Sequence, residues 1–342
     1  MGLGYILLTA INAIIPILLM ILLGYYLRRF GFLNENFIKH GNKLVFNICL
    51  PAMLFINIYD IEGFSAIQWD IVIYTVCTIC LLFLLSFGIA LTATKIPERK
   101  GVVMQCVYRS NFAIIGLSLA SALGGPEAMG VAAVISAFSI PLFNIFAVIS
   151  LSVFLKKSDN KKAEIGSILR NIAKNPLIIG VVLGLICLGI RHLQLELFEK
   201  TVFSLKRDTK FLYTALSNLK SITSPLALIV LGGQFEFSAV KGMFKEILVG
   251  TVSRTIIAPT IGVGLAVVLS KYTNLLSCGV NEYPALIAMF GSPVAVSSAV
   301  MASGMKNDGQ LATQLVVWTS FFSIFTIFTT ICIMMSMGLL KP

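Results

Sequence analysis

Residues 108–123 read YRSNFAIIGLSLASAL, and residues 288–301 read AMFGSPVAVSSAVM. Both are apolar stretches interrupted where a membrane-spanning helix is normally most apolar, by Arg109-Ser110-Asn111 in one and Gly291-Ser292-Pro293 in the other. A spanning helix satisfies its backbone internally, and a break is tolerated only where protein or a water-filled cavity surrounds it. The breaks occupy matching places in the two halves of the chain. The pair therefore points to a transport site.

The composition supports a membrane setting. With 57% hydrophobic residues, 12% charged residues and a mean hydropathy of +0.93, the chain lies far outside the range of soluble domains. Windows of about 20 apolar residues, the length that crosses the hydrocarbon core, predict ten spans. Five lie in the first half (5–27, 43–59, 71–94, 101–123, 128–155) and five in the second (175–190, 211–233, 247–270, 283–304, 311–340). The first span lacks a basic leader and is too long for a signal-peptide core, so it is expected to stay in the mature protein.

Basic residues accumulate in cytoplasmic loops. In the first half Arg28, Arg29, Lys39 and Lys43 flank the first loop, Lys95, Arg99 and Lys100 the third, and six more fill 156–174. The second loop carries Asp60, Glu62 and Asp70 with no Lys or Arg. This orientation expects both termini outside the cell and a multi-pass protein of the plasma membrane. Arg191, Lys200, Lys206, Arg207 and Lys210 run against it, in a loop assigned to the outside. The net charge of +11 is thus mostly a topology signal, and nothing calls for a nucleic-acid partner.

Five spans (1–155), a cytoplasmic linker (156–174) and five more spans (175–342) insert the second half upside down relative to the first. The expected fold is an all-α membrane protein built of two inverted five-helix repeats, with its site where discontinuous helices meet at the midplane. Pro51 in span two and Pro225 in span seven are 174 residues apart, close to half the chain, and each is expected to kink its helix. Pro293 is expected to do the same in span nine. The breaks in spans four and nine leave pieces of about ten residues, each long enough for only half the hydrocarbon. Crossing two such helices brings four half-helix ends together.

Several strings carry a resemblance. Asn42-Lys43-Leu44-Val45-Phe46 with Leu50-Pro51-Ala52-Met53-Leu54-Phe55 resembles the second helix of the auxin efflux carrier family. Asn111-Phe112-Ala113-Ile114-Ile115-Gly116-Leu117 with Gly124-Gly125-Pro126-Glu127-Ala128 resembles its fourth and fifth helices. Asn175-Pro176-Leu177-Ile178-Ile179-Gly180 resembles its sixth, and Ser224-Pro225-Leu226-Ala227-Leu228 its seventh. The match covers nearly the whole chain, with one departure: Ser118 stands where family members usually have proline. The resemblance implies a scaffold of helices one, two, six and seven and a transport domain of helices three to five and eight to ten. It also implies elevator-like alternating access. Bacterial members are associated with small carboxylates such as malate and malonate, and plant members with indole-3-acetate.

Half-helix N-termini suit a carboxylate, and the three ionisable residues inside spans, Arg109, Lys220 and Arg254, are all basic. Arg109, Asn111 and the backbone around Pro293 are the candidate binding residues for a small organic anion. The competing reading has the arginines snorkelling or pairing with backbone carbonyls, and it is favoured for Arg254 and Lys220. Asn144 matches a pocket-lining asparagine of plant members, or it is structural glue between helices. Ser118, Ser292, Ser297 and Ser298 are further candidates to line the cavity.

His40 and His192 fall near span ends, so a proton relay through them is not expected, and the sequence leaves sodium coupling or an uncoupled uniport open. No cofactor or metal is expected. Without a mid-span His, Asp or Glu, an intramembrane hydrolase has no catalytic set, so an enzyme is not expected. A channel or sensor on the same fold and a sodium-coupled symporter of the bile-acid type are the alternatives. Cys77-x-x-Cys80 reads as packing. Gly180-x-x-x-Gly184 reads as internal packing or a homodimer contact.

Overall fold

A computed structural model describes residues 3–60, 68–155, 174–273 and 275–340, and within them every regular element is a helix. The linker expected at 156–174 lies outside the described residues except for Lys174. Helix α1 (Leu3–Arg29) is followed by α2 (Glu35–Leu44), a π-helical turn (Val45–Cys49) and α3 (Leu50–Tyr59), which together form one helical run. Next come α4 (Trp69–Ala93), α5 (Pro97–Tyr108), a π turn (Phe112–Gly116) and α6 (Leu117–Val153). The second half holds α7 (Pro176–Phe198), the short α8 (Leu205–Asp208) and α9 (Lys210–Gln234). It continues with a 3-10 segment (Phe237–Gly242), α10 (Phe244–Val252), a π turn (Ser253–Ile257) and α11 (Ala258–Tyr272). It closes with α12 (Glu282–Gly291), α13 (Ser297–Gly304) and α14 (Gly309–Ser336).

Seven helical stretches among the described residues are long and apolar enough to cross a membrane. Of the three expected spans outside these seven, the fourth and ninth are cut by the two breaks, and the first is α1. Helix α5 has 12 residues, α12 has 10 and α13 has 8. At 1.5 Å per residue none reaches across about 30 Å of hydrocarbon. Span six proves longer than hydropathy alone suggested. Helix α7 runs on to Phe198, carrying Arg191, whose Nη1 donates to Tyr59 O at 3.2 Å.

The prolines act unequally. Pro51 sits in the first turn of α3, directly after a π turn, and Pro259 stands in the same relation to the π turn at Ser253–Ile257. A proline ring clashes with the carbonyl four residues back, and widening that turn relieves the clash. Pro225, by contrast, lies inside α9, which continues through it. Pro293 falls in the gap between α12 and α13. Inside α6 the regular helix is interrupted at Gly125 (φ 71°, ψ −161°), a conformation open essentially to glycine. Pro126 follows, which separates the helix begun at Phe112 from the long apolar one that ends at Val153.

Close backbone approach holds α1 to α9 and α3 to α7. A Cβ at Gly24 would strike Ile229 O, and one at Gly232 would strike Ile21 O. A Cβ at Gly180 would lie 2.6 Å from Pro51 O, and one at Gly184 2.9 Å from the Ile58 side chain. The Gly180-x-x-x-Gly184 pair is therefore engaged inside the molecule.

Candidate functional site

Helix α5 stops because Arg109 is extended (φ −84°, ψ 111°), and α12 stops because Ser292 is extended (φ −61°, ψ 147°) before a proline. The freed segments pair with each other. Ser110 and Val294 form an isolated antiparallel bridge, and Asn111 N donates to Pro293 O at 2.8 Å. Val294 N is taken up by Thr319 Oγ1 of α14 at 3.2 Å. Two backbone N–H groups freed at the breaks are thus satisfied by protein, as a membrane setting demands.

Beside the pairing lies a cavity of about 50 Å³. Its wall takes Arg109, Ser110 and Asn111 from the first break and Ala295, Val296 and Ser297 from the second. Phe143 and Asn144 of α6, Leu50, Met53 and Asn57 of α3, and Thr223, Ser224 and Ala227 of α9 also line it. The helices that begin at Phe112 and Ser297 both start at this wall, and the first turn of any helix carries N–H groups without intrahelical partners. The cavity therefore borders two partially positive helix ends.

Arg109 is 3% exposed. Its Nη2 donates to Asn144 Oδ1 and Ser297 Oγ, both at 2.9 Å, and its Nη1 to Gln105 Oε1 at 3.3 Å and Met301 Sδ at 2.6 Å. All four acceptors are neutral, and among the described residues no carboxylate forms an ion pair with it. Asn144 is fixed in turn by donating Nδ2 to Ile140 O at 2.7 Å. Asn111 Nδ2 and Ser110 Oγ are buried at the cavity without hydrogen-bond partners. Buried polar groups are normally paired, so these two stand out beside a buried cation that has only neutral partners among the described residues.

Four of the residues singled out from sequence, Arg109, Asn111, Asn144 and Ser297, thus come together on one wall. Pro293 contributes its carbonyl to the pairing. Ser292 is fully buried with its hydroxyl donating to Ala288 O at 2.6 Å, and Ser298 Oγ is buried without a partner; neither lines the cavity. The Ser118 side chain lies outside the described residues. Lys220 stands apart and reaches Asp60 Oδ2 at 3.4 Å. Arg254 is fully buried and, among the described residues, its hydrogen bonds go to backbone carbonyls, as the competing reading expected. Sequence reasoning missed Gln105 and Met301, which hold Arg109 from one turn before it and from α13. A glutamine in an apolar half-helix was the available signal for the first.

A family model described as membrane transport protein matches residues 9–331. The chain belongs to this family, that of the auxin efflux carriers. An uncharacterized transporter from Methanocaldococcus jannaschii is 25% identical to it over 320 residues, 92% of this chain and 96% of that protein. Membership together with the apolar helices makes this an integral multi-pass membrane protein of a transporter family. In such a protein, a buried cation at a pair of helix breaks is a substrate-site candidate by default.

Proposed function

We propose that this protein is a secondary transporter that carries a small organic anion, such as a carboxylate, across the plasma membrane by elevator-type alternating access. The observation that carries the reading is Arg109, a buried guanidinium with four neutral acceptors and, among the described residues, no acid, at the edge of a cavity between two helix N-termini. A cation buried this way costs several kcal/mol unless a counter-charge arrives. An anionic substrate supplies it. The volume of about 50 Å³ suits a group the size of a carboxylate with a few waters, since one water needs roughly 10–15 Å³ on this measure.

The proposed architecture is ten spans in two inverted repeats, with α5 to the start of α6 and α12–α13 as the fourth and ninth helices. Thr223 Oγ1 donates to Cys49 O at 3.1 Å, and each residue stands two positions before its proline, Pro225 or Pro51. Equivalent positions that touch are what a two-fold pseudo-axis produces. The proposed scaffold, helices one, two, six and seven, corresponds to α1, α2–α3, α7 and α9. The proposed moving domain carries Arg109, Asn111, Asn144 and Ser297, and the cavity lies between the two groups, where sliding would expose it to either side.

The test is counterflow of labelled malonate, with malate and indole-3-acetate as competitors, into liposomes containing the purified protein. Saturable exchange that Asn111→Ala abolishes supports a carrier with its site at the breaks. Large unitary currents without exchange would replace the carrier by a channel. Absence of uptake or binding for every anion would remove the anion reading.

A further inference from the structure

The half-helices that end at the crossing, α5 and α12, leave carbonyl groups without intrahelical partners and concentrate partial negative charge. One side chain reaches carbonyls at both ends. Arg254, in the π turn Ser253–Ile257, donates Nε to Ser292 O at 2.8 Å and Nη1 to Val107 O at 3.3 Å. Its Nη2 donates to Met289 O at 3.2 Å and Phe290 O at 2.9 Å. The neighbouring carbonyls are taken locally: Ala288 O by the Ser292 hydroxyl at 2.6 Å, and Gln105 O by Arg109 N at 3.0 Å. Arg254 is 0% exposed, and among the described residues no carboxylate forms an ion pair with it.

A positive charge held by carbonyl oxygens at the C-terminal ends of two broken helices has the ligand chemistry of a coupling-cation site in a broken-helix transporter. Here the cation is part of the chain. We infer that Arg254 is a tethered cation that stands in for a coupling ion, clamping the ends of α5 and α12 so that the crossing forms without sodium. This rests on the reading of the crossing as a carrier's site, but it concerns the carbonyl ends and not the cavity. Arg254 is a positioning residue: Val107 O, which it holds, lies two residues before Arg109, and Ser292 O lies five before Ser297.

A role as tethered charge differs measurably from a role as hydrogen-bonding filler. Thermal unfolding of the purified protein is followed in sodium chloride and in choline chloride at equal ionic strength, for the native chain, Arg254→Gln and Arg254→Lys. Each is then titrated with sodium or with millimolar methylguanidinium. The native chain is expected to unfold at the same midpoint in both salts. Arg254→Gln is expected to unfold earlier and to regain at least half of the loss, saturably, with methylguanidinium or sodium. Arg254→Lys, which keeps the charge, is expected to respond to neither.

Saturable stabilisation of the native chain by sodium overturns the inference, and so does an Arg254→Gln protein that no cation improves. If Arg254→Gln does not fold, the native chain and Arg254→Lys decide: sodium insensitivity of both supports the tethered cation, and sodium binding by either refutes it. None of these readouts uses an organic anion. A failure to find a transported anion would therefore sink the proposed function and leave this result interpretable.

Discussion

Arg109→Gln separates binding from stability in a way that few substitutions at a buried site do. The guanidinium is 3% exposed and spends its donors on Asn144, Ser297, Gln105 and Met301, none of them charged. A hydrogen bond from a charged donor to a substrate carboxylate contributes about 1.5–3 kcal/mol. At 1.4 kcal/mol per tenfold, its loss weakens binding about 10- to 150-fold. The unliganded protein follows a different balance. Removing a buried cation that has no counter-charge relieves several kcal/mol of desolvation, while the acceptors left behind cost about 1–3 kcal/mol each if they find no other donor. Ser297 can rotate its hydroxyl and the glutamine amide can still donate, so the two effects nearly offset. The expected pattern is a large loss of affinity with little change in the unfolding midpoint.

Isothermal titration with malonate, or whichever anion gives counterflow, measures the first quantity, and thermal unfolding in detergent measures the second. Affinity within twofold of the native value would refute the assignment of Arg109 to the site. A midpoint that collapses while the folded fraction binds normally would make Arg109 a structural residue.

Four further outcomes are expected. Asn144→Ala removes one of the two 2.9 Å supports of Arg109 Nη2 and is expected to weaken anion binding by about 1 kcal/mol, roughly fivefold by titration. Gly232→Leu places a side chain against Ile21 O and is expected to lower stability by about 1–3 kcal/mol through separation of α1 from α9, read as an earlier thermal midpoint. Asp308→Ala removes both the partner of Arg99 Nε at 2.9 Å and the cap on Leu311 N at 2.9 Å, for a loss of about 1–2 kcal/mol; Asp308→Asn, which keeps the cap, is expected to lose less. Because no Asp, Glu or His lines the cavity among the described residues, and arginine keeps its charge, affinity for a fully ionised carboxylate is expected to stay flat from roughly pH 6 to 8; a titration with a clear inflection in that range would show that another group takes part.

The breaks were legible because polar residues at mid-span have few explanations in an apolar chain, and the same contrast drew attention to Arg109 and Asn111. Asn144 was legible through the resemblance to plant members, and Ser297 only as one of several serines. The π turns were not legible. Two of the three precede Pro51 and Pro259, whose ring-to-carbonyl clashes a hydropathy window does not register; the third, Phe112–Gly116, precedes no proline, and Pro225 shows that proline alone does not impose such a turn. The end of α7 was misjudged for a related reason. The window closed at Arg191, whereas the helix continues because Arg191 bonds Tyr59 O and His192 pairs with Glu196 one turn on at 3.2 Å. Arg254 stood out as a charge within a span, yet its partners are main-chain oxygens at Val107, Met289, Phe290 and Ser292. Backbone carbonyls carry no residue identity, so no pattern of side chains could have pointed to them.

The two arginines at the crossing divide the work by helix polarity. The N-terminal ends at Phe112 and Ser297 border the cavity with Arg109, so positive partial charge and positive side chain add on that side. The C-terminal ends at Tyr108 and Gly291 face Arg254, so there the opposite signs cancel. The excess charge is therefore concentrated at the cavity, where Arg109 has only neutral protein partners. On the proposed function, an anion that enters the cavity relieves this excess. Occupancy should then raise stability by mass action, in proportion to the logarithm of anion concentration over its dissociation constant. For that occupancy to gate a transport step, the anion must also bind one arrangement of the crossing more tightly than the other.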